Sequence, residues 1–114
     1  MELISRPHRY TLLANGRSGN ERVFRQLVPV TKLFSPDAGL TWLLAAMDAH
    51  DANRVWGLVD TADGRPRLAW DSLRRIADLR GRLGRAVLRD DAFDPSGTIS
   101  DYAEAAARIG IVVA

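Results

Sequence analysis

Between Leu27 and Trp70 the chain alternates short apolar runs with turn signatures, and no connection is long enough to hold a crossover helix. Leu27 to Phe34 (LVPVTKLF) is rich in β-branched residues and ends at Ser35-Pro36-Asp37, a turn sequence. Pro29 has no N–H to donate to a ladder, which puts it at an edge or at the strand's beginning. Leu40 to Met47 (LTWLLAAM) has no decisive period, but Thr41, Trp42 and the preceding turn favour a strand. The polar segment Asp48 to Asn53 reads as a hairpin loop before the strand Arg54 to Asp60, and Asp63-Gly64 turns the chain into a strand from Pro66 to Trp70. Strands joined through turns this short pair antiparallel. The expected sheet is a four-strand antiparallel meander.

The flanking segments carry helical signals. Ser5 caps a helix with Pro7 in its first turn and Tyr10, Leu12 and Leu13 as apolar surface, stopped by Asn15-Gly16. Arg17 to Gln26 reads as a polar loop. Ser72 opens a helix to Arg80 in which Leu73, Ile76 and Leu79 recur at helical spacing and Gly81 closes the end. Ala86 to Leu88 is a short strand, and Asp94-Pro95-Ser96-Gly97 a turn. Ser100 caps a last helix with Asp101 and Glu104 in its first turn, ended by Gly110, and Ile111 to Val113 form an apolar tail able to dock on the core. With helices at both ends covering one face of the sheet, the expectation is a single α+β domain over residues 1–114, a two-layer sandwich.

Composition narrows the chemistry. A chain of 114 residues with 46% hydrophobic and 26% charged residues supports one real core. There is no cysteine, which removes disulfides, thiolate catalysis and cysteine-ligated zinc. No run approaches the roughly 20 apolar residues that span a bilayer, and MELISRPHRY lacks a secretory apolar core, so the cytoplasm is the expected compartment and no membrane is expected as a partner. Net charge is only +2 although the isoelectric point is near 9.7, because Lys32 is the sole lysine and every other base is arginine.

Eight of the sixteen bases fall in one stretch: Arg65, Arg67, Arg74, Arg75, Arg80, Arg82, Arg85 and Arg89, with Asp71 and Asp78 in opposition. Period-2 spacing puts Arg65 and Arg67 on one strand face and Arg85 and Arg89 on one face of a second strand. Gathered together, these guanidinium groups would grip phosphates or serve as hot spots at a protein interface. Dispersed, they are a solvated face, with Arg74 pairing Asp78 four residues on. The C-terminal part is acidic, with Asp90, Asp91, Asp94, Asp101 and Glu104 against Arg108, an asymmetry that either neutralises itself or suits head-to-tail self-association into a homodimer.

Signals for catalysis are weak. Asp48, His50 and Asp51 are the one metal-like cluster, at a spacing that matches no motif, and a hydrated hairpin loop accounts for them. His8 and His50 are the only histidines and neither adjoins a nucleophile motif. The glycine-bearing stretch Asn15 to Asn20 lacks the lysine and Ser/Thr of a phosphate loop. Trp42, Trp56 and Trp70 lie on successive strands and make a large aromatic core if they share a face, or a stacking platform for bases if they border the arginines. No cofactor is expected.

The blocks VTKLFSPDAGLTWLL, WGLVD, DSLRRIADLRGRLG, RDDAF and SDYAEAAA, with LLANGR before them, occur in an order that resembles a bacterial domain-of-unknown-function family, family 2958, over nearly the whole chain. The resemblance implies a protein often encoded on plasmids and other mobile DNA, with no established activity and no catalytic residues to transfer. Against that family's pattern, Arg67 stands where an acidic residue is common, and Arg75 where a glutamate would complete the capping box begun by Ser72. The expected function is that of a non-catalytic accessory protein of mobile DNA that binds another macromolecule, a protein partner first, with inhibition of a host defence system as one role. The alternative is a nucleic-acid-binding protein that uses Arg65, Arg67, Arg74, Arg75, Arg82, Arg85 and Arg89; an enzyme ranks third.

Overall fold

The computed structural model describes residues 2–114. In chain order it contains α1 (Arg6–Arg17), α2 (Glu21–Phe24), β1 (Thr31–Phe34), β2 (Thr41–Asp48), β3 (Asp51–Asp60), β4 (Arg67–Ser72), α3 (Leu73–Asp78), β5 (Leu88–Arg89) and α4 (Ile99–Ile109). The expected antiparallel meander β1–β4 is present, and β5 joins it at the β1 edge to make five strands in the order β4-β3-β2-β1-β5. No helix among the described residues is long and apolar enough to cross a membrane.

Helices cover both faces of the sheet, not the single face expected, so the domain has three layers. The cause lies in β2, where Trp42 through Met47 are all buried. Successive strand residues point to opposite faces, and a run buried throughout requires cover on both. On one face Trp42, Leu44 and Met47 pack with Leu33, Val55 and Val59 beneath Leu12 of α1 and Ile76 of α3. On the other, Leu43, Ala45 and Ala46 pack with Trp56 and Leu58 beneath Phe24 of α2 and Ile99 and Ala106 of α4. Ala45 and Ala46 both belong to this second cluster because the β2–β3 register shifts between Leu44 and Ala46, a bulge that resets the alternation. Gly57 sits opposite this irregularity, where a Cβ would overlap the carbonyl of Leu43.

The tryptophans divide between the faces. Trp42 is fully buried on the first face and donates its indole N–H to Asp71 at 3.0 Å. Trp56 and Trp70 are cross-strand partners on the second face. The opposite parity of Trp42 follows from its pairing with Val59 rather than with Trp56.

Several boundaries depart from the sequence expectations. Asn15-Gly16 does not stop α1: the Asn15 amide donates to the Ala45 carbonyl at 2.8 Å, and Gly16 lies so close to β2 that a Cβ would overlap the Met47 carbonyl. The glycine therefore serves close packing, and the helix runs on to Arg17. The polar loop contains the short helix α2, capped by Asn20. Pro29 precedes β1, which starts only at Thr31, and the β2–β3 connection is tighter than expected, with β3 starting at Asp51. The helix after β4 ends at Asp78, and β5 comprises Leu88–Arg89 rather than Ala86 to Leu88. Thr98, not Ser100, caps α4: its hydroxyl accepts the Asp101 N–H while the Asp101 carboxylate accepts the Thr98 N–H. Ser100 instead donates its hydroxyl to the Arg25 carbonyl at 2.6 Å. In the tail only Val112 packs inward, its N–H held by buried Asp60 at 3.0 Å, while Ile111 and Val113 are exposed.

Three carboxylates tie distant segments to this frame. Asp37 accepts the N–H groups of Leu83 and Arg85 and so holds the loop between α3 and β5. Asp60 accepts from Ala62 and Val112. Asp71 accepts from Trp42, from the Ser72 N–H and from Arg75, whose guanidinium lies 2.6 Å away. Burial opposes ionisation of Asp71, but the bonds from Arg75, Ser72 and Trp42 outweigh it and hold its carboxyl below the ordinary value of 3.8.

Two outcomes follow. A group titrating lower when folded than when unfolded stabilises fully above the unfolded value, and that contribution is lost as pH falls through the folded one. Acid denaturation monitored by tryptophan fluorescence should therefore lose stability below about pH 4, and Asp71→Asn should reduce the steepness of that loss. Gly16→Ala should destabilise the fold by about 1–3 kcal/mol in urea unfolding, because α1 must move away from β2; an unchanged midpoint would contradict the close approach.

Candidate binding cleft

The arginines expected to form one surface are spread widely. Arg65 and Arg67 belong to the β3–β4 turn and to β4, at one edge of the sheet, whereas Arg89 is on β5 at the opposite edge. Arg67 bonds Asp63 at 3.3 Å and the Arg65 carbonyl at 2.8 Å. Arg75, not Arg74, makes the four-residue pair on α3, and it reaches back to Asp71. Arg74 is exposed and borders a shallow concavity of about 380 Å³ with Arg9. Arg80 donates to the carbonyls of Ala77 and Leu79, and Arg89 to Asp91 at 2.6 Å and to the Glu2 carbonyl. Arg80 and Arg89 share a groove of about 410 Å³, while Arg82 and Arg85 are exposed on the loop that Asp37 holds. Arg85 is not on a strand, so its expected alignment with Arg89 does not arise. The acidic C-terminal residues are partly neutralised locally: Asp90 lies 3.5 Å from Lys32, and Asp101 is occupied in the α4 cap.

A different constellation forms where three separate stretches meet. The stretch from the end of α1 to the start of α2 (Gly16, Arg17, Gly19, Asn20, Glu21), the end of β2 with its turn into β3 (Asp48, Ala49, His50) and the aromatic pair Phe24 and Trp70 bound a cleft of about 690 Å³. That volume is within the usual range for ligand sites. Trp70 is fixed from three sides. Its indole N–H donates to the Glu21 carboxylate at 2.9 Å, Phe24 meets it edge-on at 6.1 Å between centroids, and the Arg54 guanidinium lies 4.3 Å from the ring centroid. Arg54 is positioned in turn by Asp48, at 2.8 Å. Asp48 also accepts the His50 N–H at 2.8 Å, and this bond, with Arg54, holds its carboxyl below the ordinary value against a smaller opposing effect of burial.

Asn20, Glu21, Asp48 and Arg54 are thus committed to the framework. The Arg17 guanidinium and the His50 ring make no hydrogen bond or ion pair among the described residues, and both are exposed at the cleft. They supply cationic and heteroaromatic groups beside an apolar floor. The Asp48–His50–Asp51 cluster does not converge: Asp51 accepts the Asn53 N–H, and among the described residues no three His, Asp or Glu side chains are grouped to hold a metal ion.

Sequence reading singled out Trp70 and His50 separately but did not bring them together with Arg17, Phe24 or Arg54. The one local signal was the polar stretch before Phe24, whose Asn20-Glu21 pair fits a helix start.

The family model described as "protein of unknown function (DUF2958)" matches residues 3–113. No curated protein and no solved structure matched the chain. The match runs across nearly the full length of the chain, which belongs to the DUF2958 family.

Proposed function

We propose that this protein is a non-catalytic binding module that holds a protein partner in the cleft beside Trp70. The observation that carries this reading is the fixed aromatic floor: Glu21, Phe24 and Arg54 immobilise Trp70 while Arg17 and His50 remain free at the rim. Tryptophan and arginine are the residue types that dominate protein interfaces, and a side chain already ordered in the free protein loses little entropy on binding. The charges around the cleft are mixed, with Glu21 and Asp48 alongside Arg17, which suits a protein segment better than a polyanion.

Nucleic acid binding through Arg65, Arg67, Arg74, Arg75, Arg82, Arg85 and Arg89 is the second reading. It draws on Arg74, Arg82 and Arg85, all exposed and without carboxylate partners among the described residues. The separation of Arg67 and Arg89 onto opposite sheet edges weighs against a single phosphate-tracking surface. The family resemblance supplies a setting for the first reading. A cytoplasmic accessory protein of bacterial mobile DNA, acting by occupying a protein of the host, fits a module without catalytic machinery, and inhibition of a host defence system is the role we propose within it.

Affinity capture from the native cell tests the choice. A partner enriched by the wild-type chain should survive nuclease treatment and be lost with Arg17→Glu and with Trp70→Ala, the latter by about 2 kcal/mol or more, roughly 30-fold in affinity. Arg17 is exposed, so its substitution leaves the fold in place. Capture that is abolished by nuclease, falls steeply with salt, and depends on Arg74, Arg82 and Arg85 rather than Arg17 would overturn the cleft reading in favour of nucleic acid.

A further inference from the structure

The two edges of the sheet are unequal. The β5 edge is a strand of two residues, and Arg89 on it is tied to the Glu2 carbonyl. The β4 edge runs for six residues, and no backbone group from Arg67 to Asp71 bonds to anything outside the β3 ladder among the described residues. An open edge of this length offers a row of N–H and C=O groups ready for another strand.

The residues along it are self-complementary. Read from Arg67 to Asp71 the strand is Arg-Leu-Ala-Trp-Asp. Laid antiparallel against a second copy about a two-fold axis at Ala69, Arg67 falls opposite Asp71 of the other chain and Leu68 opposite its Trp70. Ala69 faces Ala69, the smallest side chains at the point of closest approach. Strand alternation keeps the Arg67–Asp71 pairs on one sheet face and the Leu68–Trp70 pairs on the other. Asp71 retains its bonds to Trp42 and Arg75, and Arg67 its bond to Asp63. Each end of the paired strands then gathers Arg67 and Asp63 of one copy with Asp71 and Arg75 of the other, a quartet with no net charge. Shifting the axis to Leu68 or Trp70 loses either the Leu–Trp match or the charge match.

We infer that β4 is a self-association surface on which a second copy of this chain adds antiparallel about Ala69, joining two sheets into one of ten strands. This rests on the β4 edge and not on the cleft reading. It also has a consequence for that reading: Trp70 is common to the edge strand and the cleft, so the dimer sets two clefts side by side across the axis.

The absence of native cysteine makes the register testable. Ala69→Cys gives a chain with one thiol, and facing residues of an antiparallel pair lie about 4.5–5.5 Å apart at Cβ, within reach of a disulfide or a short thiol crosslinker. Under mild oxidant or crosslinker this variant should form a covalent dimer, whereas Arg82→Cys, exposed on the distant loop, should not. The wild-type chain should sediment as a concentration-dependent monomer–dimer mixture. Arg67→Glu gives each quartet a net charge of about −2 and should weaken association about tenfold, from two repulsive cross-strand contacts related by symmetry. Arg17→Glu should leave association unchanged, which separates this result from the fate of the cleft. A wild-type chain that stays monomeric at every concentration, or Ala69→Cys crosslinking no faster than Arg82→Cys, would sink the inference.

Discussion

Burial of β2 on both faces is the constraint on which the rest of the fold depends. Six consecutive residues, Trp42 to Met47, lose solvent contact, and no two-layer arrangement can satisfy side chains that point alternately up and down. The first face recruits α1 and α3, the second α2 and α4. The glycines at positions 16 and 57 accompany this central strand, because α1 and β3 both approach its backbone where a methyl group would overlap a carbonyl. Layer number, helix placement and the irregular β2–β3 register are thus consequences of one apolar run needing two covers.

Aspartates secure what hydrophobic burial does not. Asp37, Asp60 and Asp71 each accept two or more hydrogen bonds, at least one of which closes a long-range link, from the α3–β5 loop, the C-terminal tail and the buried Trp42 indole respectively. Charge-assisted bonds of this kind orient segments that bury little apolar surface. The start of α3 follows the same logic. Ser72 caps α3 through the Arg75 N–H, while the Arg75 guanidinium turns back to Asp71.

The same partition explains why a high isoelectric point does not translate into one basic surface. Arginines next to turns and strand ends find local carboxylates or carbonyls, as Arg67, Arg75, Arg80 and Arg89 do, and the sheet separates β4 from β5 by its full width. Arg17 and His50, among the side chains left without a partner among the described residues, lie beside the immobilised Trp70, apart from the exposed Arg74, Arg82 and Arg85. Recognition proposed for this protein therefore centres on an aromatic cleft carrying both signs of charge.

Local chemistry was legible in the residues alone: the helix opened by Ser5, the turns at Ser35-Pro36-Asp37 and Asp63-Gly64, the helix capped by Ser72 and the stop at Gly110 all depend on neighbours within a few positions. So did the antiparallel pairing, because short turns permit no other. Three-layer cover, the division of the tryptophans between faces and the use of Gly16 for contact rather than termination depended on residues far along the chain, such as Val59 for Trp42 and Met47 for Gly16. The cleft belongs to that second class, since Arg17, Phe24, His50 and Trp70 carry no mutual spacing that a linear reading can detect. Sequence by itself determined the four strands of the meander and the helices opened near Ser5, Ser72 and Ser100, through propensity, capping and turn geometry, but not α2. Only the tertiary structure decided which faces are covered and which side chains meet, because burial and long-range hydrogen bonding act through space.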